Sequence, residues 1–463
     1  MCCRAPGAIL PFAVSPRDAS DRFADVLVVG AGFAGLHAAA LLRGQDLDVV
    51  LLEARDRVGG RVESVALQGG AALELGASWV TGAQTEILGL ADRAGATIEP
   101  MASEGATVLV RDRELAQIDD QDAPGPSLGA AAAIDELDKL ATGVDPAAPW
   151  QAEHALSLDL TTLGAWFGSE VNDAAARLEL ELAAEGYFAT PAAQVPLLHA
   201  LFYARANGGF DHLLGASGDP LSQSLVRGGA QRLAEHLAGE LESLVLREPV
   251  AGLSWAEDEV RARARSQRIR ARRAVIAMPP PLAQRLEYEP ALPWERDQLT
   301  QRWSMGSGWK CHAIYASAFW RERGLNGRLI DLDTGITAFD TSPLSGSPGI
   351  LSCFLPVAAS ADYERAGEEG RRQAVADALG HALGEEASNP EAYRDRMWWR
   401  EPYSRGDVAV PALGTWSSFG HSLREPVGSI HWAGSETAAE FAGQMEGALR
   451  SGRRAAEEVA ASL

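Results

Sequence analysis

Between Asp25 and Glu53 the chain follows an order of residues that very few folds accommodate. Asp25-Val26-Leu27-Val28-Val29 is a short, mostly apolar, β-branched run of the kind buried on both faces of a parallel sheet. Gly30-Ala31-Gly32-Phe33-Ala34-Gly35 follows directly, then a helical stretch from Leu36 to Arg43 and a second apolar strand, Val49 to Leu52. The first glycine permits a tight turn, the second lets the backbone approach a pyrophosphate, and the third lets the helix pack close to the strand. The phosphate charge then meets the amide-rich helix N-terminus. Glu53 ends the second strand, where an acid can accept hydrogen bonds from a ribose hydroxyl pair. A glycine-rich turn that binds nothing is the alternative, and it leaves the two strands and the acid unexplained.

The rest of the composition narrows the class. A chain of 463 residues buries a large core, and its length suggests two to three units. Its formal charge of -22 repels nucleic acid and anionic lipid surfaces, so neither is expected as a partner. Lysine occurs only at Lys139 and Lys310, which makes each one worth a question. Cys2, Cys3, Cys311 and Cys353 show neither metal-ligand spacing nor a disulfide framework, so a reducing cytoplasm is the expected location and no metal is expected. The stretch from Ala8 to Val14 is weakly like a signal-peptide core, but it is short and holds a proline. The longest apolar run, Val26 to Leu42, contains spaced glycines and a histidine, which suit a strand, turn and helix better than a membrane span.

Residues 1–20 read as a disordered leader, with Pro6, Pro11 and Pro16 and no periodic apolar pattern. The region 125–220 is rich in alanine and leucine and predicts several helices, Ala174 to Ala184 among them. Strands are expected at Val245 to Val250, Gly252 to Trp255, Val260 to Ala264, Ala274 to Ala277, Trp309 to Tyr315 and Ser429 to Ala433. Helices are expected between Gly370 and Leu383 and from about Met445 to Ala461. No repeat at solenoid or propeller spacing is visible. This order suggests two interleaved domains, with the cofactor domain made of separated segments.

Further motifs carry a family resemblance. Glu53-Ala54-Arg55-Asp56-Arg57-Val58-Gly59-Gly60-Arg61 is similar to the continuation seen in two-domain FAD oxidoreductases. Leu75-Gly76-Ala77-Ser78-Trp79-Val80 resembles a flavin-facing segment of the flavin monoamine oxidases. Trp432-Ala433-Gly434-Ser435-Glu436-Thr437 and Gly443-Gln444-Met445-Glu446-Gly447-Ala448 look like that family's paired C-terminal motifs. Arg247-Glu248-Pro249-Val250, Gly306 to Lys310, and Trp398 to Gly406 match three more segments. The similarity spans about residues 23 to 460 in the family's order, and such collinearity is more specific than any one motif.

The resemblance implies an α/β fold: a Rossmann-type FAD-binding domain (21–90, 222–299 and 405–463) interleaved with an α+β substrate-binding domain (91–221 and 300–404). It implies FAD held by Gly30, Gly32, Phe33, Ala34, Gly35, Glu53, Ala54, Arg55, Gly60 and Arg61 along the dinucleotide. Gly76, Ala77, Ser78, Trp79, Trp398 and Tyr403 would lie beside the flavin, and Val250 at the adenine. Glu436 would bind the ribityl chain and the Met445 amide would face the pyrimidine oxygen, with Gly434, Ser435 and Gln444 also at the cofactor. A helix N-terminus there would stabilise charge on the reduced ring. Lys310, in an otherwise apolar strand, matches the family lysine that holds a water against flavin N5, which makes it the candidate catalytic residue; a strand-edge lysine reaching solvent is the alternative.

The departures matter as much. Asp407 stands where some members carry a flavin-linked cysteine, so FAD is expected to be non-covalent. Val408 and Gln444 replace the two cage tyrosines, which puts small arylalkylamines in doubt and suggests a different or larger amine. Tyr187, Phe188, Phe202 and Tyr203 are candidates to complete the pocket, with helix packing an equal reading. Ser78-Trp79 replaces the Met-Arg pair of amino-acid oxidases, so a free α-amino acid is a weaker substrate reading than an amine. His199, His212 and His312 read as structural. The implied reaction is amine to imine with dioxygen reduced to hydrogen peroxide. A dehydrogenase or desaturase with another acceptor, a flavin-dependent isomerase, and a binding protein that has lost activity stay open, as does a homodimer.

Overall fold

The computed structural model describes residues 22–67, 70–118, 127–213 and 224–463. The expected leader at 1–20 and the His212 side chain lie outside the described residues.

An eight-stranded sheet draws its strands from separated segments of the chain. Arg22–Val29 is central, parallel to Val49–Leu52 on one side and to Arg268–Ala277 on the other. Val26 to Val29 and all of Val49–Leu52 are buried, as continuous β-branched runs require in a sheet covered on both faces. Leu244–Val245 extends one edge, and Ile430–Ala433 pairs with the C-terminal half of Arg268–Ala277. Val250–Trp255 and Val260–Ala264 complete an antiparallel meander with Arg268–Ala277. One face is covered by the helices Phe33–Arg43 and Met445–Ser462. They touch so closely that a Cβ on Gly452 would lie 2.3 Å from the Ala34 carbonyl oxygen.

A seven-stranded sheet forms the second layer, in the order Ala392–Met397, Trp309–Tyr315, Gly349–Leu355, Thr337–Asp340, Leu325–Asp331, Ala106–Arg111 and Glu114–Ile118. Helix Ser360–Leu383 backs it and is broken at Gly367, whose φ is +72°. The helices Leu128–Ala141, Ala174–Phe188 and Leu197–Ala206 share a third core with Trp303 and Trp416.

The expected strand Val245 to Val250 is divided: Leu244–Val245 and Val250–Trp255 are strands, and 246–249 is a connection that leaves one pair for the next. The strands between Ala106 and Ile118 and between Leu325 and Leu355 carried no expectation. Among the described residues no helix is long and apolar enough to cross a membrane, and no group of three or more His, Cys, Asp or Glu could hold a metal ion.

Candidate active site

A cavity of about 580 Å³ runs from the carboxyl end of the first strand to the second sheet. It begins at the glycine turn, as ligands do in open parallel sheets. Gly30 has φ +102°, and a Cβ on Gly60 would lie 3.1 Å from the Gly32 Cα, so two backbone turns meet with no room for side chains. Helix Phe33–Arg43 has no side-chain cap at Gly32, and its first amides face the cavity. Glu53 is buried and fixed by the Ala31 and Arg55 amides, each 2.8 Å from one carboxylate oxygen. That leaves further lone pairs for a ribose.

Toward the middle of the cavity stand Arg61 and Ser435, with Glu436 directly behind them. The Arg61 guanidinium lies 2.7 Å from Glu436 Oε1 and donates to Ser435 Oγ at 3.0 Å. Glu436 Oε1 is buried yet accepts no well-directed hydrogen bond. Gly76 is forced: a Cβ there would lie 2.0 Å from the Arg61 carbonyl oxygen and 2.9 Å from the Trp398 ring. Trp398 itself is buried, donates its indole N–H to the Leu75 carbonyl at 2.9 Å and has the Arg57 and Arg396 guanidiniums near its ring. Helix Met445–Ser462 also starts without a side-chain cap, so its first amides are open at the cavity wall. These features fit FAD.

At the far end is Lys310. It is 6% exposed, and its ammonium donates to the Gly76 carbonyl at 3.0 Å and to the Ser78 hydroxyl. The Trp79 and Phe354 ring centroids lie 5.3 and 5.6 Å from the nitrogen. Burial pushes its pKa below the usual lysine range, and the charge of Glu74 opposes that fall. It does not reach solvent along the strand edge, since Trp309–Tyr315 is an interior strand.

The family described as "Flavin containing amine oxidoreductase" matches residues 33–460. Putrescine oxidase of Kocuria rosea is 34% identical over 94% of this chain and 95% of its own length. The flavin-containing amine oxidase A of Bos taurus is 31% identical over 96% and 86%. Among solved structures, cyclohexylamine oxidase from Brevibacterium oxydans IH-35A is similar with a TM-score of 0.90 at 28% identity, over 95% of this chain and 99% of that one. The chain belongs to the flavin-containing amine oxidases.

In this amine oxidase nearly all the residues expected at the cofactor line the cavity: Gly30, Gly32, Phe33, Ala34, Glu53, Ala54, Arg55, Gly60, Arg61, Gly76, Ala77, Ser78, Trp79, Val250, Trp398, Tyr403, Gly434, Ser435, Gln444 and Met445. Gly35 and Glu436 stand one layer behind. Gly35 lets the first helix close on Gly30, and Glu436 pairs with Arg61. Val408 and Gln444 line the cavity, and Gln444 is pinned by the buried Gln84, whose amide donates to it at 2.5 Å. Asp407 lines the cavity too; burial pushes its carboxyl up to about 6.

The helical aromatics fall elsewhere. Phe188 and Phe202 are buried in the bundle core, Phe202 5.0 Å from the Trp416 ring, and the Tyr187 hydroxyl donates to the Leu213 carbonyl. None of the three lines the cavity. Their helices turn those faces inward because the bundle needs its own core. Tyr203 lies just behind the wall, its ring about where a Gly443 Cβ would be. His199 accepts the Trp416 indole N–H at 3.1 Å and is held neutral by burial, its pKa pushed down to about 3. Sequence reasoning missed Phe354, which strand pairing sets directly opposite Lys310, and it missed Glu74 and Gln84. An apolar run such as Gly349–Leu355 carries no local mark of which residue faces a ligand.

Proposed function

We propose that this amine oxidase binds FAD without a covalent link and oxidises an amine with an apolar body to an imine, with dioxygen reduced to hydrogen peroxide, in the cytoplasm. The observation that carries the reading is the buried Lys310 ammonium beside Trp79 and Phe354 at the end of a cavity suited to FAD. Segments 21–90, 222–299 and 405–463, which hold the eight-stranded sheet, serve as the FAD-binding part in this reading, and 91–221 and 300–404 as the substrate part.

The chemistry that FAD would supply when bound is acceptance of a hydride equivalent from the carbon next to nitrogen and delivery of the electrons to dioxygen. The residues supply the rest. Gly32, Gly60 and the open amides at Phe33 would hold the diphosphate, Glu53 the ribose, Arg61 and Glu436 the ribityl chain, and Met445 N–H the pyrimidine edge. Trp79, Phe354 and Val408 form a wall that excludes water and favours the neutral amine, whose lone pair assists loss of the hydride. Lys310 holds a positive charge near the site of oxygen reduction. Asp407 offers no sulfur for a thioether, which supports non-covalent binding.

The test is the absorption spectrum of the purified protein before and after anaerobic mixing with primary, secondary and polyamine substrates. The yellow band should bleach with one class and return with peroxide on admitting air; a colourless protein that cannot be reconstituted with FAD would undo the proposal. Acid precipitation should release all the yellow colour into the supernatant. Colour retained in the pellet would refute non-covalent binding. Val408→Tyr, which restores one ring beside the amine, should raise kcat/KM for a small arylalkylamine about threefold, the scale of one ring–amine contact. An unchanged kcat/KM would place Val408 away from the amine.

A further inference from the structure

Gln444 is the residue before helix Met445–Ser462, and its side chain does not cap that helix. It lines the cavity instead, where its amide oxygen accepts the Gln84 side-chain N–H at 2.5 Å. A glutamine amide has one accepting end and one donating end, so what Gln84 offers decides which end of Gln444 stays free. Gln84 is buried, and its own oxygen accepts the Thr81 backbone N–H at 3.4 Å. A backbone N–H can only donate, which fixes the Gln84 oxygen toward Thr81 and its NH2 toward Gln444. The Gln444 oxygen is thereby engaged, and its NH2 is the free end. Among the described residues that nitrogen has no protein partner, yet it is not sealed in the interior; the surface Gln444 presents belongs to the cavity.

The pair is tied to the Lys310 end. Gln84 closes the turn 81–84 that follows strand Trp79–Val80, its main-chain N–H returning to the Thr81 carbonyl at 3.2 Å. The Trp79 ring at the head of that segment lies 5.3 Å from the Lys310 ammonium. Lys310 carries no acceptor, and the acceptor of Gln444 is taken, so a substrate ammonium finds no partner at either residue. A neutral amine nitrogen that accepted from Gln444 would tie up the lone pair that hydride loss needs. The productive partner of the Gln444 N–H groups is therefore a different atom of the substrate, an oxygen acceptor set apart from the reacting nitrogen.

We propose that Gln444 is a specificity-determining residue that selects amines carrying an ether, hydroxyl or carbonyl oxygen over plain alkylamines, and that Gln84 is the positioning residue that turns the Gln444 NH2 toward them. A site that donates to an oxygen discriminates against the analogue lacking it, because the N–H groups lose water on binding and gain no partner. The proposal rests on the amine-oxidising reading given above and names a substrate class within it.

The test mixes holoenzyme anaerobically with two pairs of similar shape, butylamine against methoxyethylamine and cyclohexylamine against aminotetrahydropyran. The concentration dependence of flavin bleaching gives a dissociation constant for each amine; where the flavin stays oxidised, the shift of its absorption band on binding gives it instead. Comparing one pair between wild type and variant cancels the difference in amine basicity. The wild type should prefer the ether in at least one pair. Gln444→Met keeps the length and removes the donors, and should lower that preference about fivefold, the scale of one neutral hydrogen bond. Gln84→Met leaves the donors and frees them to turn, and should lower it by less. Gln444→Glu keeps the shape and replaces donors by an acceptor, so it should lose the preference as well, and it carries the test should Gln444→Met fail to fold. No ether preference in the wild type, or one that survives in the Gln444 variants, overturns the proposal. Loss of FAD from Gln444→Met, with the preference unchanged after reconstitution, assigns the N–H groups to the cofactor and overturns it too. If no amine bleaches the flavin while the binding preference falls in Gln444→Met, the donor role stands and the amine-oxidising reading fails.

Discussion

Lys310→Met is expected to slow reoxidation of the reduced holoenzyme by dioxygen about 100-fold, the scale of removing one preorganised polar group from a dry site. Stopped-flow mixing of anaerobically reduced enzyme with oxygenated buffer measures it. FAD should stay bound, because Lys310 holds protein groups, the Gly76 carbonyl and the Ser78 hydroxyl, and the dinucleotide contacts lie elsewhere. The variant removes one of two donors to the Gly76 carbonyl, the Ser78 hydroxyl being the other, which costs about 0.5–1.5 kcal/mol of stability, so flavin content and Tm belong in the same experiment. The pH dependence has a definite sign. The ammonium is the active form and is present below the Lys310 pKa; burial lowers that pKa, so the wild-type rate should fall with rising pH earlier than for an ordinary lysine. Lys310→Met should lose that limb. A variant that reoxidises at the wild-type rate would remove Lys310 from oxygen chemistry.

Gly35→Ala should give protein without bound flavin and destabilised by at least about 3 kcal/mol, beyond the usual cost of overpacking, because backbone must move. The added Cβ would sit 1.9 Å from the Gly30 carbonyl oxygen and 3.1 Å from the Ala277 Cβ, prying the first helix off the sheet where the diphosphate would lie. Gly168→Ala is the control, since its Cβ meets nothing within 4 Å, and it should stay within about 0.5 kcal/mol of wild type. Flavin absorbance per protein and urea unfolding measure both. Full flavin content in Gly35→Ala would show that the helix can retreat without loss of the site.

The dinucleotide site was legible because its requirements are local. Gly30 needs its positive φ, Gly35 must clear the Gly30 carbonyl five residues back, and Glu53 takes one of its two amides from Arg55, two places on. Lys310 was legible because a cation in a buried apolar strand is costly unless it has a task or a partner. Tyr187, Phe188 and Phe202 show the opposite case: helical spacing reveals that a face is apolar, and it does not reveal whether that face meets a ligand or another helix. Gln84 and Glu74 were missed for a related reason, since each gains its meaning from a partner far along the chain.

The sequence by itself determined the strand–turn–helix that receives the dinucleotide, the family, the open position at Asp407 and the single buried lysine. Only the tertiary structure decided what surrounds that lysine. Strand register puts Phe354 opposite it, and the end of Ala72–Glu74 with the turn that follows brings two carbonyls to its strand. The physical reason is one of range: turn sterics act over a few residues, whereas burial, field and pairing depend on segments that only the folded chain brings together.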